Sequence, residues 1–206
     1  NRWPSLSFDL TSVNNLAAPF LAAGFYYKTF MWPTWALFEG IIRRAAGIGV
    51  PSKRIDPARY EQRFAHCDVL VIGSGPAGLD AARAAAGDKV RVILVEQDGQ
   101  FGGSLLSEDC VIDGQAGDRW AAGAIQDLAR RPDVRLLSRA TAIGYYDHNE
   151  ISVVERPEGG PVRERLWQIR AGRVVLATGA IERPLVFPGN DRPGVIMASA
   201  ARTYAR

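Results

Sequence analysis

The sequence predicts an α/β fold: a parallel β-sheet flanked by helices, with an antiparallel β-meander inserted and an N-terminal extension ahead of it. Two observations predict it. From Asp68 onward, short apolar runs alternate with helical patterns, Asp68 to Ile72, then Ala77 to Ala86, then Val90 to Val95, as in strands joined by crossover helices. Between Ala142 and Arg170, three strand-like runs follow one another with only turns between them, around His148-Asn149 and Glu158-Gly159-Gly160-Pro161.

Taken in order, residues 1–62 read as an extension and linker with an aromatic-rich segment, and residues 63–206 as the α/β domain. The extension carries one amphipathic helix, Trp35 to Ala46, stopped by Gly47 and Gly49, and Pro51 to Arg59 reads as linker. In the domain, Gly99 to Gly114 is expected to be a loop, Asp118 to Arg131 a helix and Val134 to Arg139 a third parallel strand. The meander is expected over Ala142 to Tyr146, Ile151 to Arg156 and Leu166 to Arg170, with Arg173 to Ala177 a separate strand that rejoins the parallel sheet. The chain starts without Met and stops at Arg206 inside a helical pattern, Val195 to Ala205, so it reads as a piece of a longer polypeptide, truncated at its C-terminal side.

Bulk properties narrow the function classes. Lys and Arg number 25 against 22 Asp and Glu, and the arginines are scattered, so a nucleic-acid partner is not expected. The two cysteines, Cys67 and Cys110, lack the C-x-x-C spacing of a redox dithiol or zinc knuckle and fit a reducing, cytoplasmic setting. Leu16 to Ile42 is aromatic-rich, but Pro19, Gly24, Lys28, Pro33 and Glu39 interrupt it, which argues against a membrane span. Its Phe25, Tyr26, Tyr27, Phe30, Trp32, Trp35 and Phe38 are expected to lie against a protein surface, in this subunit or a partner.

The chemistry-bearing motif is Gly73-Ser74-Gly75-Pro76-Ala77-Gly78, directly after Val69-Leu70-Val71-Ile72 and opening an Ala-rich helix. In a Rossmann unit the first glycine makes the tight turn, the second lets backbone approach a pyrophosphate, and the third lets helix pack on strand. Phosphate then meets the unpaired amides at the positive end of the helix, and Pro76 falls where a missing donor costs little. Glu96 ends the second strand, where a carboxylate accepts the ribose hydroxyls, and no Arg follows it, so NAD or FAD is expected rather than NADP. Gly102-Gly103-Ser104 lies in the next loop, and Ala177-Thr178-Gly179 ends the last strand with a second small-residue turn. His66 precedes the first strand and His148 sits in a hairpin turn; either could act as a general base, but a solvated or capping role is expected, and Glu182-Arg183 reads as a surface ion pair, so no catalytic residue is assigned.

With these motifs in place, the chain resembles the flavoprotein superfamily with two dinucleotide-binding domains, which contains glutathione reductase. Within it, the chain is most similar to the alpha subunits of heterotetrameric sarcosine oxidases. The residues that carry the resemblance include AGFYYKTFMWP at 23–33, IRRAAGIG at 42–49, CDVLVIGSGPAGL at 67–79, GGSLL at 102–106, YYDHN at 145–149 and ATGAIERPLVFPGNDRPGVIMASAARTY at 177–204. The resemblance implies a glutathione-reductase-like nucleotide-binding domain in an oxidoreductase subunit, inactive without its beta, gamma and delta partners. The complete enzyme would oxidise sarcosine to glycine with oxygen, form hydrogen peroxide and pass a one-carbon unit to tetrahydrofolate. It also implies NAD contacts at the 73–78 turn, at Val95, Glu96 and Gln97, at Ser104 and Leu105, and near Thr141 and Ala142, with Val95 standing where many relatives have Asp. A fainter resemblance to alpha subunits of opine oxidase and hydrogen cyanide synthase would place FAD in the same site. A third reading is a scaffold whose nucleotide is structural.

Overall fold

The computed structural model describes residues 4, 5, 7–20, 24, 30–49 and 51–205. It divides into two units, Asn1–Asp56 and Pro57–Arg206. In the first, a 3-10 helix covers Leu10–Phe20 and helix α1 covers Trp35–Ala45. Arg43 and Arg44 stand in the last turn of α1, where cations meet the negative end of the helix dipole. Arg43 also donates to the Gly49 carbonyl at 2.9 Å, which fixes the chain leaving the helix. Phe30 packs on Phe38 with ring centroids 5.2 Å apart, whereas Trp32 is 84% exposed. Phe25, Tyr26 and Tyr27 of the aromatic stretch lie outside the described residues.

The second unit holds β1 (Arg59–Ile72), α2 (Pro76–Ala85), β2 (Val92–Val95), the short hairpin β3 (Val111–Ile112) and β4 (Gln115–Ala116), then α3 (Gly117–Ala129) and β5 (Val134–Leu137). It continues with β6 (Ala140–Tyr146), β7 (Glu150–Glu155), β8 (Val162–Leu176) and α4 (Ala198–Ala205). Six strands form one sheet in the order β5-β2-β1-β8-β7-β6. β5, β2, β1 and β8 are mutually parallel, and β8, β7 and β6 form the antiparallel meander. The α/β class, the parallel sheet and the inserted meander all agree with the sequence.

Two strands differ from the expectation. β1 begins at Arg59, well ahead of Asp68; its first half is mostly polar and exposed and lacks the apolar run that marks its second half. Glu61 and Arg63 lie there, and Glu61 accepts from Arg165 of β8 at 2.9 Å. Likewise, the runs Leu166 to Arg170 and Arg173 to Ala177 are one strand, β8, which stays parallel to β1 from Val162 opposite Arg59 to Leu176 opposite Ile72. Gly172 lies inside this strand, and a Cβ there would lie 2.9 Å from the Asp68 carbonyl oxygen. The 99–114 loop also contains a 3-10 turn, Gly103–Leu106, and the β3–β4 hairpin.

The core has two layers, one on each face of the parallel strands. Val71, Val92 and Leu94 face the helices and pack with Leu79, Ala82, Trp120, Ala124 and Leu128. Leu70, Ile72, Ile93 and Val95 face the other way, where Ile151, Val153, Trp167 and Ile169 of the meander cover them. This alternation explains why the β2 segment reads as a continuous apolar run: a strand buried on both faces has no polar side. A polar clamp holds the meander to β1: Arg165 of β8 donates to Glu61 of β1 at 2.9 Å and to Glu155 of β7 at 2.8 Å, and Glu155 also accepts from the Trp167 indole at 2.6 Å.

Candidate dinucleotide site

Strand β1 runs into α2 through residues 73–75, and the turn is built from backbone contact. Gly73 has φ +98°, and a Cβ on it would stand 2.2 Å from the Ala177 carbonyl oxygen. A Cβ on Gly78 would stand 1.9 Å from the Gly73 carbonyl oxygen. Side chains at either position would thus collide with main chain that cannot move aside. Gly75 is different: a Cβ there meets nothing within 4 Å. The turn therefore excludes side chains at Gly73 and Gly78 for packing and leaves free space at Gly75, which is the cradle that a pyrophosphate needs.

Gly75 is also the N-cap of α2, with Pro76 at its first position and no side-chain cap. The Leu79 N–H bonds the Gly75 carbonyl at 2.9 Å. The amides of Ala77 and Gly78, ahead of it, have no intrahelical acceptor, and anions bind such amides. Gly103 comes in from the next loop, where a Cβ would stand 2.9 Å from the Gly75 Cα.

Glu96 is 6% exposed and turns toward the glycine turn. Its Oε2 accepts from the Ser74 N–H at 2.9 Å and the Ser74 hydroxyl at 2.5 Å, and its Oε1 accepts from the Asp98 N–H at 3.0 Å. Three of about four acceptor positions on the carboxylate are thus filled by the protein, leaving one on Oε1 for a ribose hydroxyl. The Ser74 hydroxyl in turn accepts from the Gly102 N–H at 3.0 Å. Ser74, to which the sequence reading assigns no role, is therefore the joint between turn, acid and double-glycine loop. Small size and a hydroxyl inside a glycine motif were the only signal.

The remaining positions gather at the same end of the parallel strands. Ala177 N–H bonds the Ile72 carbonyl at 2.8 Å, which brings the exposed Thr178 and Gly179 beside the turn. Ala140 N–H bonds the Glu96 carbonyl at 2.8 Å, so Thr141 and Ala142, both half-buried, start β6 next to the end of β2. Gln97 and Ser104 are exposed. The side chains of Val95 and Leu105 are not available to a ligand: Val95 is 1% and Leu105 2% exposed, each within a core layer. Only their backbones could touch one.

Two other expected features take different roles. Glu182 makes no pair with Arg183; it accepts from the Ser199 N–H at 2.8 Å and hydroxyl at 2.5 Å, at the start of α4. These bonds, with Arg202 nearby, hold its carboxyl below the usual range. His148 sits at φ +60° in the β6–β7 turn, consistent with turn chemistry. A groove between α2 and α3, lined by Asp80, Arg83, Ala84, Asp127, Leu128 and Arg131, shares no residue with the glycine turn. Among the described residues no helix is long and apolar enough to cross a membrane, and no group of three or more His, Cys, Asp or Glu could hold a metal ion.

Comparison with known proteins agrees with this geometry. The family described as pyridine nucleotide-disulphide oxidoreductase matches residues 67–204. The chain is 54% identical over 214 residues to sarcosine oxidase subunit alpha of Rhizobium meliloti (strain 1021), covering 99% of this chain and 22% of that protein. It is 46% identical over 167 residues to sarcosine oxidase subunit alpha of Corynebacterium sp. (strain P-1), covering 77% of this chain and 17% of that protein. The chain thus spans about a fifth of the length of these curated relatives. Among solved structures, L-proline dehydrogenase from P. horikoshii superposes with TM-score 0.53 at 27% identity, over 69% of this chain and 28% of that one.

Proposed function

Because the chain belongs to the pyridine nucleotide-disulphide oxidoreductase family, we propose that it is the nucleotide-binding region of a sarcosine oxidase-type alpha subunit, with NAD held across the 73–78 turn. The observation that carries this reading is the convergence of four small-residue segments, at residues 73–78, 102–103, 140–142 and 177–179, on one end of the parallel strands. The open face at Gly75 fits a phosphate diester, whereas Gly73, Gly78, Gly102 and Gly103 are close-packed.

In this reading the amides of Ala77 and Gly78 bind the pyrophosphate. Glu96 orients the ribose through its remaining acceptor position, and Ser74 holds that carboxylate still. Thr141, Ala142 and the backbone of Gln97 border the adenosine. When bound, a pyridine or flavin dinucleotide supplies hydride transfer. The described residues place no acid–base pair at the turn, so amine oxidation belongs to the assembled enzyme with its beta, gamma and delta subunits. Two of the matched names, sarcosine oxidase and L-proline dehydrogenase, refer to secondary amino acids, which supports a substrate of that class.

The test is mass spectrometry of the nucleotide released on denaturing the purified protein. NAD is the expected result. Released FAD would move the reading to the opine oxidase type, and no adenine dinucleotide after incubation with either would overturn it. The chain without partner subunits should form no peroxide from sarcosine, and turnover by the chain alone would overturn the subunit reading.

A further inference from the structure

Residues 97–101, Gln-Asp-Gly-Gln-Phe, carry no cation, so the sequence gives the adenosine end of the site no positive partner. The fold delivers one from elsewhere. Arg139 stands in the β5–β6 turn at φ +51°, fixed on both sides: its N–H bonds the Asp98 carbonyl at 2.9 Å and its carbonyl accepts from the Arg156 N–H at 2.8 Å. A Cβ on Gly99 would lie 3.2, 3.3 and 3.5 Å from its Nη2, Cζ and Nε. Three guanidinium atoms at nearly equal distance mean that the plane lies broadside over Gly99. Its ion pair with Glu158, at 3.3 Å, joins side chains that are 47% and 83% exposed, so little holds the guanidinium there except the loop beneath it.

In a Rossmann site the pyrophosphate lies at the helix start and the ribose at the acid that ends the second strand, so the purine falls beyond that acid, over the next strand. Here that region is the 97–99 loop and the start of β6. We infer that Arg139 is an adenosine-binding residue whose guanidinium, seated with one face on Gly99 of the 97–99 loop, stacks its other face on the purine. The inference rests on the dinucleotide reading given above. A planar guanidinium stacks on aromatic faces, which an ammonium does not reproduce.

Titration of the full chain with NAD, ADP-ribose, NADP and nicotinamide mononucleotide tests it. Arg139→Ala should weaken NAD and ADP-ribose by the same factor, about five- to tenfold, and leave the mononucleotide unchanged. Arg139→Lys should fail to restore affinity. Gly99→Ala, which crowds the guanidinium while keeping Arg139, should give a smaller loss in the same two ligands. Unchanged NAD affinity in Arg139→Ala overturns the inference, as does a loss confined to NADP that Arg139→Lys rescues, because that pattern belongs to a phosphate contact. A wild-type chain that binds no dinucleotide overturns the parent reading and this one together, whereas wild-type binding with an unaffected Arg139→Ala overturns this one alone.

Discussion

The turns at residues 73–78 and 158–161 are both glycine-rich, yet they use glycine for different reasons. In the first, Gly73 and Gly78 are glycine because main chain occupies the space of a side chain, at 2.2 and 1.9 Å from a notional Cβ. In the second, Gly159 and Gly160 have φ +74° and +80°, and a Cβ on either meets nothing within 4 Å. The hairpin needs glycine for its backbone angle alone. Glycine content therefore does not distinguish a binding turn from a connecting one; what surrounds each glycine does.

Substitutions can break this contrast, and the largest effect belongs to the packed turn. Gly78→Ala or Gly73→Ala forces two main-chain segments apart and should cost on the order of 3–5 kcal/mol, read from chemical denaturation. A loss below about 1 kcal/mol would mean that the turn is looser than its distances imply. Ser74→Ala removes a buried hydroxyl that serves both Glu96 and Gly102, so a loss of about 2 kcal/mol is expected. Gly159→Ala should cost only about 1 kcal/mol, the strain of a left-handed residue without a clash.

Gly75→Ala sharpens the comparison further. Gly75 has φ −64°, which alanine adopts freely, and open space around it. Stability should stay within about 0.5 kcal/mol while nucleotide affinity falls at least tenfold, since the new methyl enters the phosphate cradle. Equal affinity would remove Gly75 from the site.

The smallest effect is pH-dependent and lies within β1, at Asp68. Arg91 bonds Asp68 through its guanidinium and its N–H, and holds the carboxyl down at about 2 against an ordinary 3.8. A carboxylate with a depressed folded value adds stability above its ordinary value and loses it as pH falls toward the depressed one. Asp68→Asn should therefore flatten the acid side of the stability profile between about pH 4 and pH 2. An unaltered acid limb in a pH series of melting temperatures would assign that limb to other carboxylates.

Much of the fold was legible because its signals are local. The run from Val92 to Val95, the Ala-rich α2 and the glycine spacing each follow from side-chain size and period within a few residues. The full length of β1 was not legible, since the Arg59 to Cys67 half is mostly polar and exposed and is held as a strand by pairing with β8. Gly172 has a contact of the same long-range kind, since it admits the Asp68 carbonyl of a strand about a hundred residues earlier.

By itself, the amino-acid sequence determined the α/β class, the position of the glycine turn and the acid at Glu96, because each is a short-range requirement of backbone geometry and strand period. Only the tertiary structure decided that Ser74 locks that acid, that the Ala177 carbonyl closes the turn and that Arg139 lies on Gly99. These contacts join residues from 22 to more than a hundred positions apart. No local pattern encodes them, since they exist only once the parallel strands have aligned their ends.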